Sequence, residues 1–302
     1  MKKFFAVFIF FILTAATVLA QFGDSQWKNY RHELFFGAGP SNFMGDFGGT
    51  NEIGSYSLKD LDIKASRFAL QGGYSYKLAE RWGFGASLSY IQVYGADRFA
   101  KDPNRKARDM HFKSSIFELS ATISFSLSVE DYSQKYNVGA RGKSSKTPNW
   151  YIYTGISGLY FNPKAQHSNG KWYNLQPLGT EGQGIISTRD EYSSIAIAIP
   201  VGMGLIFPIN SNWGIGFELG FRYTFTDYLD DVSSTYIDPL LFNDPIARYF
   251  HNPTAYVDGE SAWEGSGIGK QRGNNKIHDT YMFVLIKTTY KIPSRRFYMP
   301  KF

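Results

Sequence analysis

The chain has 302 residues, with 32 Lys+Arg against 26 Asp+Glu, a formal charge of +6, five His and no Cys. The lack of Cys excludes disulfides, zinc–thiolate sites and the lipid-modified cysteine of a lipoprotein. The basic excess is too weak to argue for nucleic acid, whereas 18% aromatic residues and 30 Gly suit a β-barrel with aromatic girdles and tight inner positions.

Met1-Lys2-Lys3, the apolar stretch Phe4 to Leu19 and the small-residue site Val18-Leu19-Ala20 before Gln21 have the layout of a secretory leader. The apolar stretch is 16 residues, short of the roughly 20 a membrane-spanning helix needs, so residues 1–20 read as a removed signal peptide. Residues 21–302 then form one outer-membrane barrel domain, at a formal charge of +4 once Lys2 and Lys3 are gone. Mean hydropathy below zero does not count against this, because a barrel dilutes lipid-facing residues with lumen-facing polar ones.

Strand-like segments follow at about 30–41, 66–78, 82–95, 114–127, 150–161, 193–207, 213–225 and 279–291. Each reaches the roughly 9–11 residues a tilted transmembrane strand requires. In the third, Trp82, Phe84, Ala86, Leu88 and Tyr90 alternate with Gly83, Gly85, Ser87 and Ser89. The fourth alternates Phe117, Leu119, Ala121, Ile123 and Phe125 with Glu118, Ser120, Thr122 and Ser124. The seventh, WGIGFELGFRYTF, sends Trp213, Ile215, Phe217, Leu219, Phe221, Tyr223 and Phe225 to one face. Gly, Glu218, Arg222 and Thr224 take the other. Strict period-two alternation, repeated along the chain, predicts an eight-stranded antiparallel transmembrane β-barrel with long extracellular loops.

Connection lengths fit that reading. Residues 78–81 and 208–212 are short, as periplasmic turns are, while the alternate connections are long, as outward loops are. Both termini are then periplasmic. Residues 128–149, with Lys135, Arg141, Lys143 and Lys146, break the rule as a long periplasmic-side segment, either a mobile polar loop or a docking surface. The inward residues Gln71, Glu118, Glu218 and Arg222 predict a polar plug, since eight strands leave an interior just wide enough for side chains to fill.

Chemistry is sparse. His32, His111, His167, His251 and His278 fall near strand ends or in loops, with no metal-motif spacing and no Ser–His–acid trio selected, so no enzyme and no cofactor are expected. Gly37-Ala38-Gly39 and Gly142-Lys143-Ser144 only imitate nucleotide loops. The densest acidic cluster is TDYLDDVSSTY, 226–236. Asp227, Asp230 and Asp231 could share a calcium ion, form a solvated turn in which Asp and Ser cap backbone groups, or, with Tyr228 and Tyr236, build a protein contact at the barrel rim.

GIGFELGFRYTF running into TDYLDDVS, the preceding hairpin GMGLIFPINSNWGIG, and ELFFGAGPSNFMGDFGG at 33–49 resemble the PorG-like outer-membrane barrels of the type IX secretion system. The resemblance spans about residues 30–290, with longer loops at 162–192 and 237–278 and a tail at 293–302. It implies a noncatalytic barrel, embedded in outer-membrane lipid, that anchors a periplasmic ring protein or lipoprotein of the secretion and gliding machinery. On that view segment 128–149 and the tail residues Arg295 and Arg296 are the candidate contacts. The alternative is a surface barrel whose loops, with Trp172, Tyr173, Tyr249, Phe250 and Trp263, bind a ligand or envelope polymer by stacking.

Overall fold

The computed structural model describes residues 26–45, 47, 63–99, 103–128, 147–254, 267–275 and 278–294. The expected leader, the basic residues Lys135, Arg141, Lys143, Lys146, Arg295 and Arg296, and Trp263 lie outside the described residues. The strands are β1 (His32–Met44), β2 (Arg67–Lys77), β3 (Trp82–Ala96), β4 (His111–Ser126), β5 (Asn149–Gln166), β6 (Trp172–Asn174), β7 (Ile195–Pro208), β8 (Trp213–Thr224) and β9 (Thr280–Ile292). Two short helices, α1 (Pro103–Arg108) and α2 (Pro245–His251), lie in the long loops.

Every pairing is antiparallel, and the ring runs β1-β2-β3-β4-β5-β7-β8-β9 before β9 returns to β1. The result is a closed eight-stranded barrel without an exposed edge in the ring. β6 stands outside the ring and pairs only with the end of β5, through Lys164↔Asn174 to Gln166↔Trp172. The expected loop 162–192 therefore begins as strand: β5 climbs past the barrel wall and folds back on itself. Connections 78–81 and 209–212 are tight turns at one end, where β1 and β5 also begin and β4 and β9 end, and the remaining strand ends lie at the opposite end. Among the described residues no helix is long and apolar enough to cross a membrane.

The exterior is an aliphatic band between two aromatic girdles. Trp82 with Phe125 and Trp213 with Tyr290, rings 4.9 and 4.8 Å apart, mark the turn end. Phe68, Tyr90 and Phe117, at 5.6 and 5.0 Å, mark the loop end. Trp82 to Tyr90 is about 26 Å of strand, or about 20 Å of height at a tilt near 40°, close to the roughly 25 Å apolar band of outer-membrane-type barrels. Between the girdles Leu88 is 67% exposed, Leu119 61% and Ile195 70%, a surface stable in lipid and not in water. The fold is a transmembrane β-barrel.

Inside, the chemistry changes along the axis. On β3 the inward residues are Gly83, Gly85, Ser87 and Ser89 near the turns, then Ile91 and Val93 near the loops. On β4, running the other way, Phe112 and Ile116 precede Glu118, Ser120, Thr122 and Ser124. Phe43, Leu159, Phe161, Phe283 and Leu285 complete the apolar layer at the loop end, where Leu229 and Val232 of the β8–β9 connection pack into it.

Candidate functional site

Midway along the interior lie two ion pairs, one across the lumen and one between the neighbouring strands β8 and β9. Arg222 on β8 places Nε 2.8 Å from Glu118 Oε1 on β4. The other carboxylate oxygen of Glu118 accepts from Tyr281 at 2.6 Å, and Ser120 and Ser157 also donate to Glu118. Lys287 on β9 sets Nζ 2.6 Å from Glu218 Oε2, which also accepts from Tyr151 at 2.5 Å. Cation–π contacts seat both cations, Lys287 at 3.9 Å over Phe35 and Arg222 at 4.4 Å over Phe283. Buried charges persist only when paired and hydrogen-bonded, and here they are.

Size complementarity makes room for this layer. A Cβ at Gly204 would lie 2.2 Å from the Tyr151 ring, and one at Gly202 or Gly220 would lie 2.5 or 2.6 Å from Tyr153 atoms. Alternating Gly on β7 and β8 is thus the socket for two tyrosines from β5. Between the belt and the turns a polar vestibule of about 80 Å³ opens at the turn end, with Glu33, Gln71, Ser75 and Thr289 on its walls.

The loop end is closed by a folded cap. Arg108 grips Asp97 in a fork at 2.6 and 2.7 Å and reaches the Arg272 carbonyl at 2.6 Å. Arg272 pairs with Glu181 at 2.9 Å and donates to the Asp231 carbonyl at 2.8 Å. Glu181 in turn accepts from the backbone amides of Ser233 and Ser234, and Arg189 holds Thr235. Phe161, Tyr192 and Tyr228 stack nearly parallel, and the Tyr192 hydroxyl donates to Asp231 at 2.6 Å. His251 is buried, with its ring nitrogens 2.7 Å from the Thr180 carbonyl and 3.0 Å from that of Ile237. Burial pushes the Asp231 carboxyl up to about 6. Burial, with the Arg272 charge, pulls His251 down to about 4 against its two carbonyl partners.

The four inward residues expected to plug the lumen all face it, in a different grouping. Glu118 takes Arg222, Glu218 takes Lys287, and Gln71 stands on the far wall with a long 3.4 Å contact to Ser89. Lys287, Tyr151, Tyr153 and Tyr281 complete the belt. Their strands hide them: β9 reads TYMFVLIKTTYKI, apolar on both faces for half its length, so period two gives no inward set there.

The rim segment 226–236 is not the solvated turn one expects of so many acids. Asp230, Asp231, Leu229 and Tyr236 are buried, and only the capping part of that expectation holds, with Asp230 accepting from the Val232 amide at 2.9 Å. Asp231 is occupied by the Thr180 and Tyr192 hydroxyls, Tyr228 lies in the aromatic stack, and Asp227 is buried as well. Among the described residues no group of three or more His, Cys, Asp or Glu could hold a metal ion. The aromatic loop residues Tyr173, Tyr249 and Phe250 pack with His167 and Leu175, spending on one another the ring faces that stacking on a ligand would use. Trp172 alone of the described four is well exposed.

A family model described as a domain of unknown function, DUF6089, matches residues 2–239. The chain belongs to that family. No curated protein matches it. Solved structures similar to this DUF6089 chain include Neisserial surface protein A, at 9% identity and a TM-score of 0.40 over 86% of this chain and 97% of that one. Another is Ail of Yersinia pestis in complex with sucrose octasulfate, at 11% identity and 0.36 over 87% and 98%. The E. coli outer membrane protein W follows at 12% identity and 0.31 over 87% and 99%. Neither the family description nor these structures name PorG or type IX secretion, so for this DUF6089 barrel the comparisons stop at architecture.

Proposed function

We propose that this barrel is a noncatalytic scaffold of a Gram-negative outer membrane, with both termini in the periplasm, anchoring a periplasmic component of the type IX secretion and gliding machinery. The observation that carries this reading is the interior: among the described residues a folded cap at one end and two buried ion pairs at mid-height fill it with fixed contacts, as suits a rigid scaffold. The chain segments left for partner contact leave from the turn end. Ser128 and Thr147 bracket the segment with Lys135, Arg141, Lys143 and Lys146, and Ser294, whose amide donates to Asn29 O at 2.7 Å, precedes Arg295 and Arg296. The PorG-like motifs supply the identity of the partner in this reading. Capture of the native barrel from mildly crosslinked outer membranes, followed by mass spectrometry, tests it. The expected result is a ring protein or lipoprotein lost on deletion of residues 129–146 or 295–302. A barrel recovered alone, from cells that secrete normally without it, overturns it.

The second reading, a surface barrel whose loops bind a ligand, draws support from the cap being an ordered body. A cleft of about 70 Å³ lies within it, between Asp109, His111, Tyr249 and Arg272. Binding of envelope polysaccharide by the whole barrel, lost when the cap residues 176–192 are replaced by a short linker, would favour this reading.

A further inference from the structure

The lipid-facing wall is not uniform. Across β1 to β5 one outward row reads Phe36, Gly72, Leu88, Leu119 and Gly158 in register. The next row toward the loops reads Leu70, Tyr90, Phe117 and Tyr160. A Cβ at Gly158 would meet nothing within 4 Å, and one at Gly72 only Phe36 at 3.9 Å. These glycines are therefore dents in the wall, unlike the inward ones that seat tyrosines. Between the two rows lies an apolar groove of about 610 Å³.

Two outward steps above the aromatic row, Lys113 on β4 stands directly opposite Lys164 on β5. Side chains so placed share a face with Cβ atoms about 4.5–5.5 Å apart, and like charges there destabilise the sheet unless an anion lies between them. The neighbouring position on β3 is Tyr94, which adds two cations: Arg67 sits 4.0 Å over its ring and Arg98 donates to its hydroxyl at 2.9 Å. Trp172 lies 4.4 Å from Lys113 Nζ, and two acids, Asp109 and Asp97, act on the adjacent His111. Phe117 to Lys113 is about 13 Å of strand, or about 10 Å of height. An interfacial aromatic row marks where acyl chains end, so the lysines stand at the level of lipid phosphates.

We propose that the β2–β5 face at the long-loop end is a binding site for a phosphate-bearing lipid. The phosphate bridges Lys113 and Lys164, and the acyl chains lie in the groove over Gly72 and Gly158. Neither element makes the site alone: the groove supplies length and the lysine pair supplies the charge that selects a phosphorylated headgroup.

The test is titration of the purified full-length barrel in detergent with lipid A and with the same lipid stripped of its phosphates, retained lipid being read by native mass spectrometry. Wild type is expected to prefer the phosphorylated form by roughly tenfold or more, and Lys113→Gln with Lys164→Gln to abolish that preference. Gly72→Leu with Gly158→Leu, facing open space, is expected to weaken both forms alike. Equal affinity of wild type for the two lipids overturns the proposal without any variant, as does an unchanged preference in the lysine variant. Unchanged binding in the leucine variant overturns the groove. Heat-modifiable migration on gels establishes that each variant is folded.

Discussion

At mid-height the interior is held by two ion pairs and their hydroxyl partners, whereas under the long loops the same strands contribute Phe43, Ile91, Phe112, Leu159 and Phe283 to an apolar core. The difference follows from what each level must fit. The middle must fill a narrow space from within the ring, and long polar side chains do so with directional bonds, Arg222 reaching across to Glu118. The loop end has additional chain to pack, and non-directional burial accommodates irregular loops that a salt-bridge lattice then pins from above.

Breaking a belt pair should produce the largest effect. Arg222→Met strands Glu118 in the lumen and is expected to destabilise the barrel by about 3–5 kcal/mol, while Glu118→Gln with Arg222→Met recovers most of that loss. Guanidinium unfolding followed by gel mobility measures both. Under the loops, Leu229→Ala removes a fully buried side chain and should cost about 2–4 kcal/mol. That loss falls on the cap: protease sensitivity of residues 176–192 rises while barrel mobility stays unchanged.

The pH response separates the two regions further. Asp231, raised to about 6, binds its proton more tightly folded than unfolded, so its contribution falls as pH rises from about 4 to 6. His251, lowered to about 4, contributes stability that is present above its unfolded value near 6.5 and lost as pH falls toward 4. Each is worth at most about 3 kcal/mol, with opposite sign over nearly the same window, so the wild-type cap should be almost flat between pH 4 and 6.5. Asp231→Asn should make the cap acid-labile, and His251→Gln should make it firmer in acid. Hydrogen exchange of cap amides across that range is the measurement, and equal slopes in the two variants would sink the assignment.

Alternation placed all eight ring strands, with ends shifted by a few residues, because a wall between lipid and a polar interior imposes period two directly on the sequence. The same logic exposed Glu118, Glu218 and Arg222. It failed on Lys287 and Tyr281, because the half of β9 nearest the loops is apolar on both faces, and on Tyr151 and Tyr153, where an inward aromatic row alternates with outward Trp150 and Ile152 near the turn end. The cap itself was illegible. Its contacts join residues such as Arg108 and Arg272 or Glu181 and Ser234 across three connections, with no periodicity to betray them. The acids of 226–236 look solvated because local composition says nothing of the cations and hydroxyls that arrive from 180, 192 and 272.

Glu118 finds its cation 104 residues downstream and its tyrosine 163 residues downstream, and Glu218 finds Lys287 69 residues on. Both countercharges thus reside on β8 and β9, the last two strands made. A sheet of β1 to β5 alone holds the Glu118 carboxylate without its cation, which arrives only with β8. A fragment that ends before β8 is therefore expected to enter bilayers less readily than the whole chain.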